Sequence, residues 1–259
     1  MRHYCKFCGA KRNESKMVQL EFALLREKFW FCKKCVSATA DISGIVKPSK
    51  KLQFVEFFSG SGNISKVARS FGWETTTIDI EPKYEPDICV DVMNLRRSLL
   101  PKNVDVVWIS FPCYVFTVLT LGKHWEKIKL KYRGYYYSPK TEEAKEVLKL
   151  LYFTIEMLKK VNPLYYFIEN PRGGLRHFPH LSLAPFRHTV SYADYGFDYP
   201  KPTDIWTNCE RFKPIPCGSF EGMKFEKSVL DLSSSYERSL VPDDLIKYLF
   251  ETLDFMKTT

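Results

Sequence analysis

Long apolar runs are missing from this sequence. No stretch approaches the roughly 18 residues that a membrane-spanning helix needs. The polar start, Met1-Arg2-His3-Tyr4-Cys5, lacks the apolar segment of a signal peptide. The expectation is a protein that is neither membrane-bound nor secreted. It would stay inside the cell, in a reducing compartment. Histidine is scarce, and His124, His177, His180 and His188 show no metal-ligand spacing with one another. There is no internal repeat and no low-complexity tract, which excludes repeat architectures. Acidic residues are outnumbered, 30 against 39 Lys and Arg, for a formal charge of +9. That balance favours a polyanionic partner without naming it.

Aromatic residues, by contrast, are plentiful, with 15 Tyr and 20 Phe; many must be core, and some could stack on bases. An apolar fraction of 45% in 259 residues is enough for one α/β domain and a small appendage. The Pro-interrupted, polar stretch 37–51 reads as the link between them. The expected division is therefore a small module at 1–45 and a main domain at 50–259.

In a reducing compartment the eight cysteines are better read as metal ligands, nucleophiles or core residues than as disulfides. Cys5-x-x-Cys8 and Cys32-x-x-Cys35 form two knuckles, 23 residues apart. Two intervening residues let both sulfurs of a knuckle turn onto one ion, and four thiolates satisfy tetrahedral zinc. A unit this small needs such a staple, so a structural zinc in a ribbon-like module is expected. Cys209 and Cys217 lack partners and read as plain thiols, and Cys89 reads as buried strand packing.

From residue 52 the pattern alternates. Strands are expected at 52–58, 74–79, 88–91, 104–109 and 164–168, and helices at 63–71, beginning at an Asn cap, and 141–160. The second of these helices would bury Ala144, Val147, Leu151, Ile155 and Leu158 on one face. Further strands follow from Thr189, with a final helix at about 242–256. Such β-α-β alternation predicts an α/β fold with a doubly wound, Rossmann-like sheet and ligands at the strand C-termini.

Three connections at that edge carry chemistry. Phe58-Ser59-Gly60-Ser61-Gly62, between strand and helix, lets a tight turn pass close to a ligand. Asp79 ends the second strand, where a carboxylate can accept ribose hydroxyls, and Asp91 ends the third, placed to meet an exocyclic amine. The turn lacks the Lys-Ser/Thr pair of a P-loop, so a nucleoside without polyphosphate is preferred over ATP. Cys113 follows the fourth strand in Ser110-Phe111-Pro112-Cys113, and Glu169 follows the fifth in Glu169-Asn170-Pro171-Arg172. A thiol that nearby cations or dipoles could ionise and a carboxyl group on one sheet edge supply a nucleophile and a proton donor.

Taken in order, these motifs resemble the cytosine-C5 DNA methyltransferases, especially compact phage and viral versions. The resemblance runs from about Phe54 to Leu249 and continues through Tyr195-Gly196 and Lys201-Pro202-Thr203-Asp204. It implies S-adenosylmethionine held by Phe58, Ser59, Gly60, Ser61, Gly62, Asn63, Asp79, Ile80 and Asp91. It implies a Cys113 thiolate that adds to cytosine C6 while Glu169 serves N3. Arg172 and Lys201 would contact the nucleic acid, and the target base would leave its stack. Ser-Phe-Pro-Cys-Tyr stands where the family more often has Ser-Pro-Pro-Cys-Gln, and the usual Gln-x-Arg-x-Arg becomes Pro200-Lys201-Pro202-Thr203. Only about 40 residues separate Thr203 from the final helix, where larger members carry a target-recognition region.

DNA is the expected partner. The alternatives are the same reaction on RNA, an amino-methyltransferase that needs no thiol, and an inactive zinc-ribbon adaptor that only binds nucleic acid. Residues 123–140 mix cations with aromatics just after Cys113, suiting either a nucleic-acid contact or a solvated loop with an aromatic cluster.

Overall fold

The computed structural model describes residues 51–129, 135–178, 181, 184–217, 225 and 227–254, and the backbone of 2–4, 11–13, 17–22 and 27–32. The chain divides into two compact units, Met1–Lys50 and Lys51–Thr259. In the first unit β1 (Arg2–Tyr4) pairs antiparallel with β2 (Lys11–Asn13), and β3 (Met17–Phe22) with β4 (Glu27–Cys32). Cys32 closes β4, whereas Cys5, Cys8 and Cys35 lie outside the described residues, and with them the expected zinc site.

The second unit is a mixed α/β fold around a seven-stranded sheet of order β12-β13-β11-β8-β5-β6-β7. Its strands are β5 (Gln53–Phe57), β6 (Glu74–Asp79), β7 (Ile88–Cys89), β8 (Val106–Ser110), β11 (Tyr165–Pro171), β12 (Phe186–Ser191) and β13 (Pro202–Thr207). The five strands from β7 to β11 are parallel, and β13 runs antiparallel between β11 and β12. The chain moves outward from β5 to β7 and then crosses back to β8. This reversal puts a topological switch point between β5 and β8, where open sheets of this kind bind ligands at their C-terminal edge. Because β13 is antiparallel, its first residues lie at that same edge, with Thr203 opposite Pro171.

The continuous apolar strands are buried on both faces, as central parallel strands require. Val55, Phe57, Val107, Ile109, Ile168 and Trp206 pack on one side, with α3 (Glu142–Val161). Phe54, Val106, Trp108, Phe167 and Ile205 pack on the other, with α1 (Asn63–Ser70) and α5 (Asp243–Asp254). The face expected for α3 is the buried one, from Ala144 to Leu158, and Thr141 caps it by accepting the Ala144 N–H at 3.3 Å. Asn162 closes it in the left-handed conformation at φ 48°.

Several boundaries differ from the sequence reading. Strand β11 runs on to Pro171, so Glu169 and Asn170 sit inside the ladder, each registered against β13. The third strand shrinks to Ile88–Cys89, and Cys89 is exposed rather than buried packing. Asn63 does not cap α1: Gly62 holds that position, and the Asn63 amide donates to the Val241 carbonyl at 3.0 Å. The described residues of 123–140 are mostly helix and strand rather than loop. They contain α2 (Leu121–His124) and then an antiparallel hairpin of β9 (Trp125–Lys129) and β10 (Tyr135–Pro139). A short α4 (Ser235–Ser239) precedes α5. Among the described residues no helix is long and apolar enough to cross a membrane.

Candidate active site

The turn after β5 is built by backbone conformation. Phe58, Gly60 and Gly62 all take positive φ, at 56°, 48° and 64°. For a phenylalanine this costs about 1–2 kcal/mol, and its ring is held edge-on against Phe111 at 5.5 Å. A Cβ added at Gly60 would meet no atom within 4 Å, so the turn presents open space at its surface. The Ser59 N–H donates to the Ile78 carbonyl at 3.0 Å, which fastens the turn to the end of β6. The Ser59 hydroxyl is buried and has no hydrogen-bond partner among the described residues. Ser61 and Asn63 are half-buried beside it. A cavity of about 310 Å³ lies at the start of α1, lined by Asn63, Tyr195, Phe197, Val241 and Asp244 among others, and not by Phe58–Gly62 or Asp79.

Asp79 is buried and braces the turn: Oδ2 accepts the Gly60 N–H at 2.7 Å and Oδ1 accepts the Glu81 N–H at 2.9 Å. An ionised carboxylate offers about four acceptor positions, so two bonds leave capacity for a ligand's hydroxyls. Ile80, the next residue, is exposed. Asp91 uses Oδ1 to accept the Met93 N–H at 2.9 Å, turning the chain after β7. Open space at the glycine turn, an unpartnered serine hydroxyl and a carboxylate with spare acceptors together suit a nucleoside.

Strands β8 and β11 bring Cys113 and Glu169 to one edge of the sheet. Glu169 is registered against Ser110. Beyond Ser110, the Phe111 N–H donates to the Glu169 carbonyl at 3.3 Å, and the Asn170 amide donates to the Phe111 carbonyl at 2.7 Å. Cys113 follows two residues later, half-buried, its carbonyl accepting the N–H groups of Phe116 at 2.8 Å and Thr117 at 3.2 Å. Beyond β11, Gly173 passes so close that an added Cβ would lie 2.3 Å from the Phe116 carbonyl oxygen. The segment after Glu169 thus packs directly on the loop that carries Cys113.

Two further side chains close the group. The Tyr192 hydroxyl, fully buried, donates to Glu169 Oε1 at 2.8 Å. Lys201 is only 6% exposed; its Nζ donates to the Arg238 carbonyl at 2.6 Å and lies 4.7 Å above the Tyr192 ring. Burial pushes the Glu169 carboxyl up from its ordinary range, opposed by the Lys201 ammonium and the Tyr192 hydrogen bond. Burial also pushes the Cys113 thiol up, reinforced by the Glu169 carboxylate and opposed by Lys201. Lys201 itself is pushed down by burial and held up by Glu169 and Cys113. A thiol, a carboxyl group and an ammonium therefore feel one another's charge in one water-poor place. When Glu169 carries a proton, its repulsion of a Cys113 thiolate disappears and the attraction of Lys201 is left. Such a trio can add sulfur to an electron-poor ring carbon while protonating that ring elsewhere.

Sequence reasoning named Cys113 and Glu169, took Lys201 for a nucleic-acid contact where it lies buried on the Arg238 carbonyl, and missed Tyr192 and the clasping role of Asn170. Tyr192 lies 23 residues from Glu169 and carries no motif of its own, so nothing local could have marked it. Asn170 keeps a buried side-chain oxygen without a partner among the described residues. Arg172 is exposed just beyond the strand, its N–H bonded to the Pro202 carbonyl at 2.8 Å. Among the described residues no three His, Cys, Asp or Glu side chains are grouped to hold a metal ion.

No protein-family model matches the chain. It is 29% identical over 181 residues, 66% of its own length and 77% of the relative's, to the protein described as "Probable DNA (cytosine-5)-methyltransferase" from Frog virus 3 (isolate Goorha). Among solved structures it resembles the SAM-dependent methyltransferase from Agrobacterium tumefaciens. That match has 12% identity and a TM-score of 0.35, covering 76% of this chain and 73% of that one.

Proposed function

We propose that this chain is an S-adenosylmethionine-dependent methyltransferase that modifies C5 of cytosine in DNA through a covalent bond between Cys113 and C6. The observation that carries the reading is the placement of Glu169 beside the Cys113 loop, registered against Ser110, bonded to the Phe111 N–H and to the Tyr192 hydroxyl, at the sheet edge that also bears the glycine turn. The similarity to the viral protein supports the same substrate.

In this reading Phe58 to Asn63, Asp79, Ile80 and Asp91 hold the cofactor, with the Ser59 hydroxyl and the free acceptors of Asp79 taking its polar groups. When bound, S-adenosylmethionine supplies an electrophilic methyl group. The chain's own residues prepare the acceptor. Glu169, whose protonated form burial favours, gives its proton to N3, which draws electron density from C6. The Cys113 thiol gives its proton to water, the resulting thiolate, its charge facing Lys201, forms the bond to C6, and the C5–C6 π pair moves onto C5. After C5 is methylated, water takes the C5 proton, the S–C6 bond breaks with its pair leaving on sulfur as the Cys113 thiolate, N3 returns its proton to Glu169, and the ring regains its aromaticity. Tyr192 and Asn170 act by positioning: one orients the Glu169 carboxyl, the other fixes the strand end from which Cys113 projects.

The test is mass spectrometry of nucleosides after incubation with labelled S-adenosylmethionine and DNA or RNA. Labelled 5-methylcytosine in DNA is expected, and an oligonucleotide carrying 5-fluorocytosine should trap an adduct that Cys113→Ser abolishes. Label on RNA alone would overturn the choice of polymer. Label on an exocyclic amine that survives Cys113→Ser would overturn the mechanism. For the first unit, the paired Cys-x-x-Cys spacing supports a structural zinc on Cys5, Cys8, Cys32 and Cys35. Elemental analysis of the purified protein should find about one zinc per chain, and none would refute it.

A further inference from the structure

The hairpin that follows the Cys113 loop has two unlike faces. Its register pairs Tyr135 with Lys129 and Tyr137 with Lys127, so two lysines and two tyrosines share one face, while Glu126 and Tyr136 belong to the other. Directly paired residues in an antiparallel ladder point to the same side. At the inner end of the lysine–tyrosine face Trp125 is buried against Phe116 and Phe178, at ring separations of 5.3 and 4.8 Å. Phe116 belongs to the Cys113 loop, so the hairpin is anchored to the candidate site by a shared aromatic core.

His177, on the turn that leaves Glu169, packs against the outer part of this face. Its ring lies 5.5 Å from that of Tyr135 and 5.4 Å from that of Tyr137, and Nδ1 is 3.2 Å from the Tyr135 hydroxyl. Lys127 Nζ sits 3.8 Å over the Tyr135 ring. The groups acting on His177 come from every neighbouring element: Lys127 from β9, Tyr135 and Tyr137 from β10, Arg176 from its own turn, Arg187 from β12 and Asp204 from β13. Arg176 is neutralised by a bidentate pairing with Asp204, at 2.5 and 2.9 Å. Lys127, Lys129 and Arg187 are exposed, and among the described residues none has a carboxylate within ion-pair distance. Cations gathered without counter-charge, interleaved with rings, form a surface complementary to a polyanion carrying flat bases.

We infer that Lys127, Lys129, Tyr135, His177 and Arg187 form a seat for the phosphodiester backbone of the nucleic acid, holding the strand that flanks the base delivered to Cys113. The inference rests on the nucleic-acid reading of the site and adds where the polymer lies. It also gives a use to residues outside the catalytic group. With few residues left for a separate recognition region, the hairpin supplies part of the grip. His177 adds a pH response. Burial first, and then Arg176, Lys127 and Arg187, push its imidazole below the ordinary range, so it is neutral in the free protein near neutral pH. A phosphate docking beside it raises the imidazole's proton affinity. The extra binding is therefore fully present below the free-state pKa and is lost as pH rises through the bound-state value.

The experiment is fluorescence anisotropy of labelled DNA and RNA oligonucleotides with the full chain, across salt and pH. Cofactor binding and thermal unfolding are followed in parallel. Each phosphate contact contributes about 0.9 to the slope of log affinity against log salt, or roughly eightfold at 0.1 M relative to 1 M. The double variant Lys127→Ala/Arg187→Ala should lower the slope by about 2 and weaken binding roughly 60-fold at 0.1 M salt, with S-adenosylmethionine binding and unfolding temperature unchanged. His177→Gln should flatten the rise in affinity expected as pH falls below neutral. If the double variant binds as tightly and as steeply in salt as the native chain, the seat is wrong and the catalytic reading stands. If the native chain binds the cofactor but no DNA or RNA at low salt, the polymer reading falls, and the seat with it.

Discussion

Replacing Glu56 with glutamine should remove a pH dependence of folding that the structure places under the glycine turn. Glu56 lies in the middle of β5, 1% exposed, and its Oε2 accepts both the backbone N–H of Ser65 at 2.9 Å and the Ser65 hydroxyl at 2.5 Å. Burial raises its carboxyl from an ordinary 4.5 to about 7, against the pull of those two bonds and of Arg69. The unfolded chain releases this proton near pH 4.5, whereas the folded protein keeps it until about pH 7. The contribution is therefore fully present below pH 4.5, falls by about 1.4 kcal/mol per pH unit across that window, and is flat above it. Roughly 3 kcal/mol is lost in all. Urea unfolding followed by tryptophan fluorescence at pH 5, 6, 7 and 8 reads this directly, because Trp73, Trp108, Trp125 and Trp206 all report on the second unit. Glu56→Gln should flatten the slope and be more stable than the native chain at pH 8. An unchanged slope in the variant would mean that Glu56 ionises in the folded protein as it does in water, and the burial argument would fail.

Two other substitutions test the interior of the site. Tyr192→Phe deletes the hydrogen bond to Glu169, which holds that carboxyl down, so under the proposed mechanism the limb of the pH–rate profile assigned to Glu169 should move upward. Stability should fall by about 1–2 kcal/mol for the unsatisfied oxygen; an unmoved profile would remove Tyr192 from the positioning role. Arg176→Ala strips the fully buried Asp204 of its bidentate partner and leaves it only the Thr189 hydroxyl at 2.7 Å. A loss of about 3 kcal/mol in chemical denaturation is expected for an uncompensated buried charge, and a change within about 0.5 kcal/mol would show that water reaches the carboxylate.

What could be seen in the sequence was whatever depends on neighbours along the chain. Alternation of apolar strands with the amphipathic face from Ala144 to Leu158 suffices for a doubly wound sheet, because burial on one helix face and both strand faces is a local pattern. The glycine turn and Asp79 were legible for the same reason: positive φ and a strand-end carboxylate belong to short segments. Boundaries were less so. The expected end of β11 at Ile168 reflects where apolar residues stop, but Glu169 and Asn170 continue the ladder because β13 and β8 offer partners on both sides. Cys89 was misjudged because its two-residue strand is a sheet edge, where an apolar neighbourhood in sequence does not ensure burial in space.

The character of the site lies beyond local reading for a stricter reason. Whether Cys113 can act depends on Lys201 and on the protonation of Glu169. Whether Glu169 holds a proton depends in turn on Tyr192 and on how far water is excluded. Those residues span 88 positions of chain between Cys113 and Lys201 and meet only because β13 enters the sheet antiparallel beside β11. A motif supplies the sulfur and the carboxyl group; the antiparallel strand supplies the cation. If β13 ran parallel, its first residues would lie at the opposite edge, and the same motifs would leave a half-buried thiol and a buried acid opposing one another without Lys201 as counter-charge.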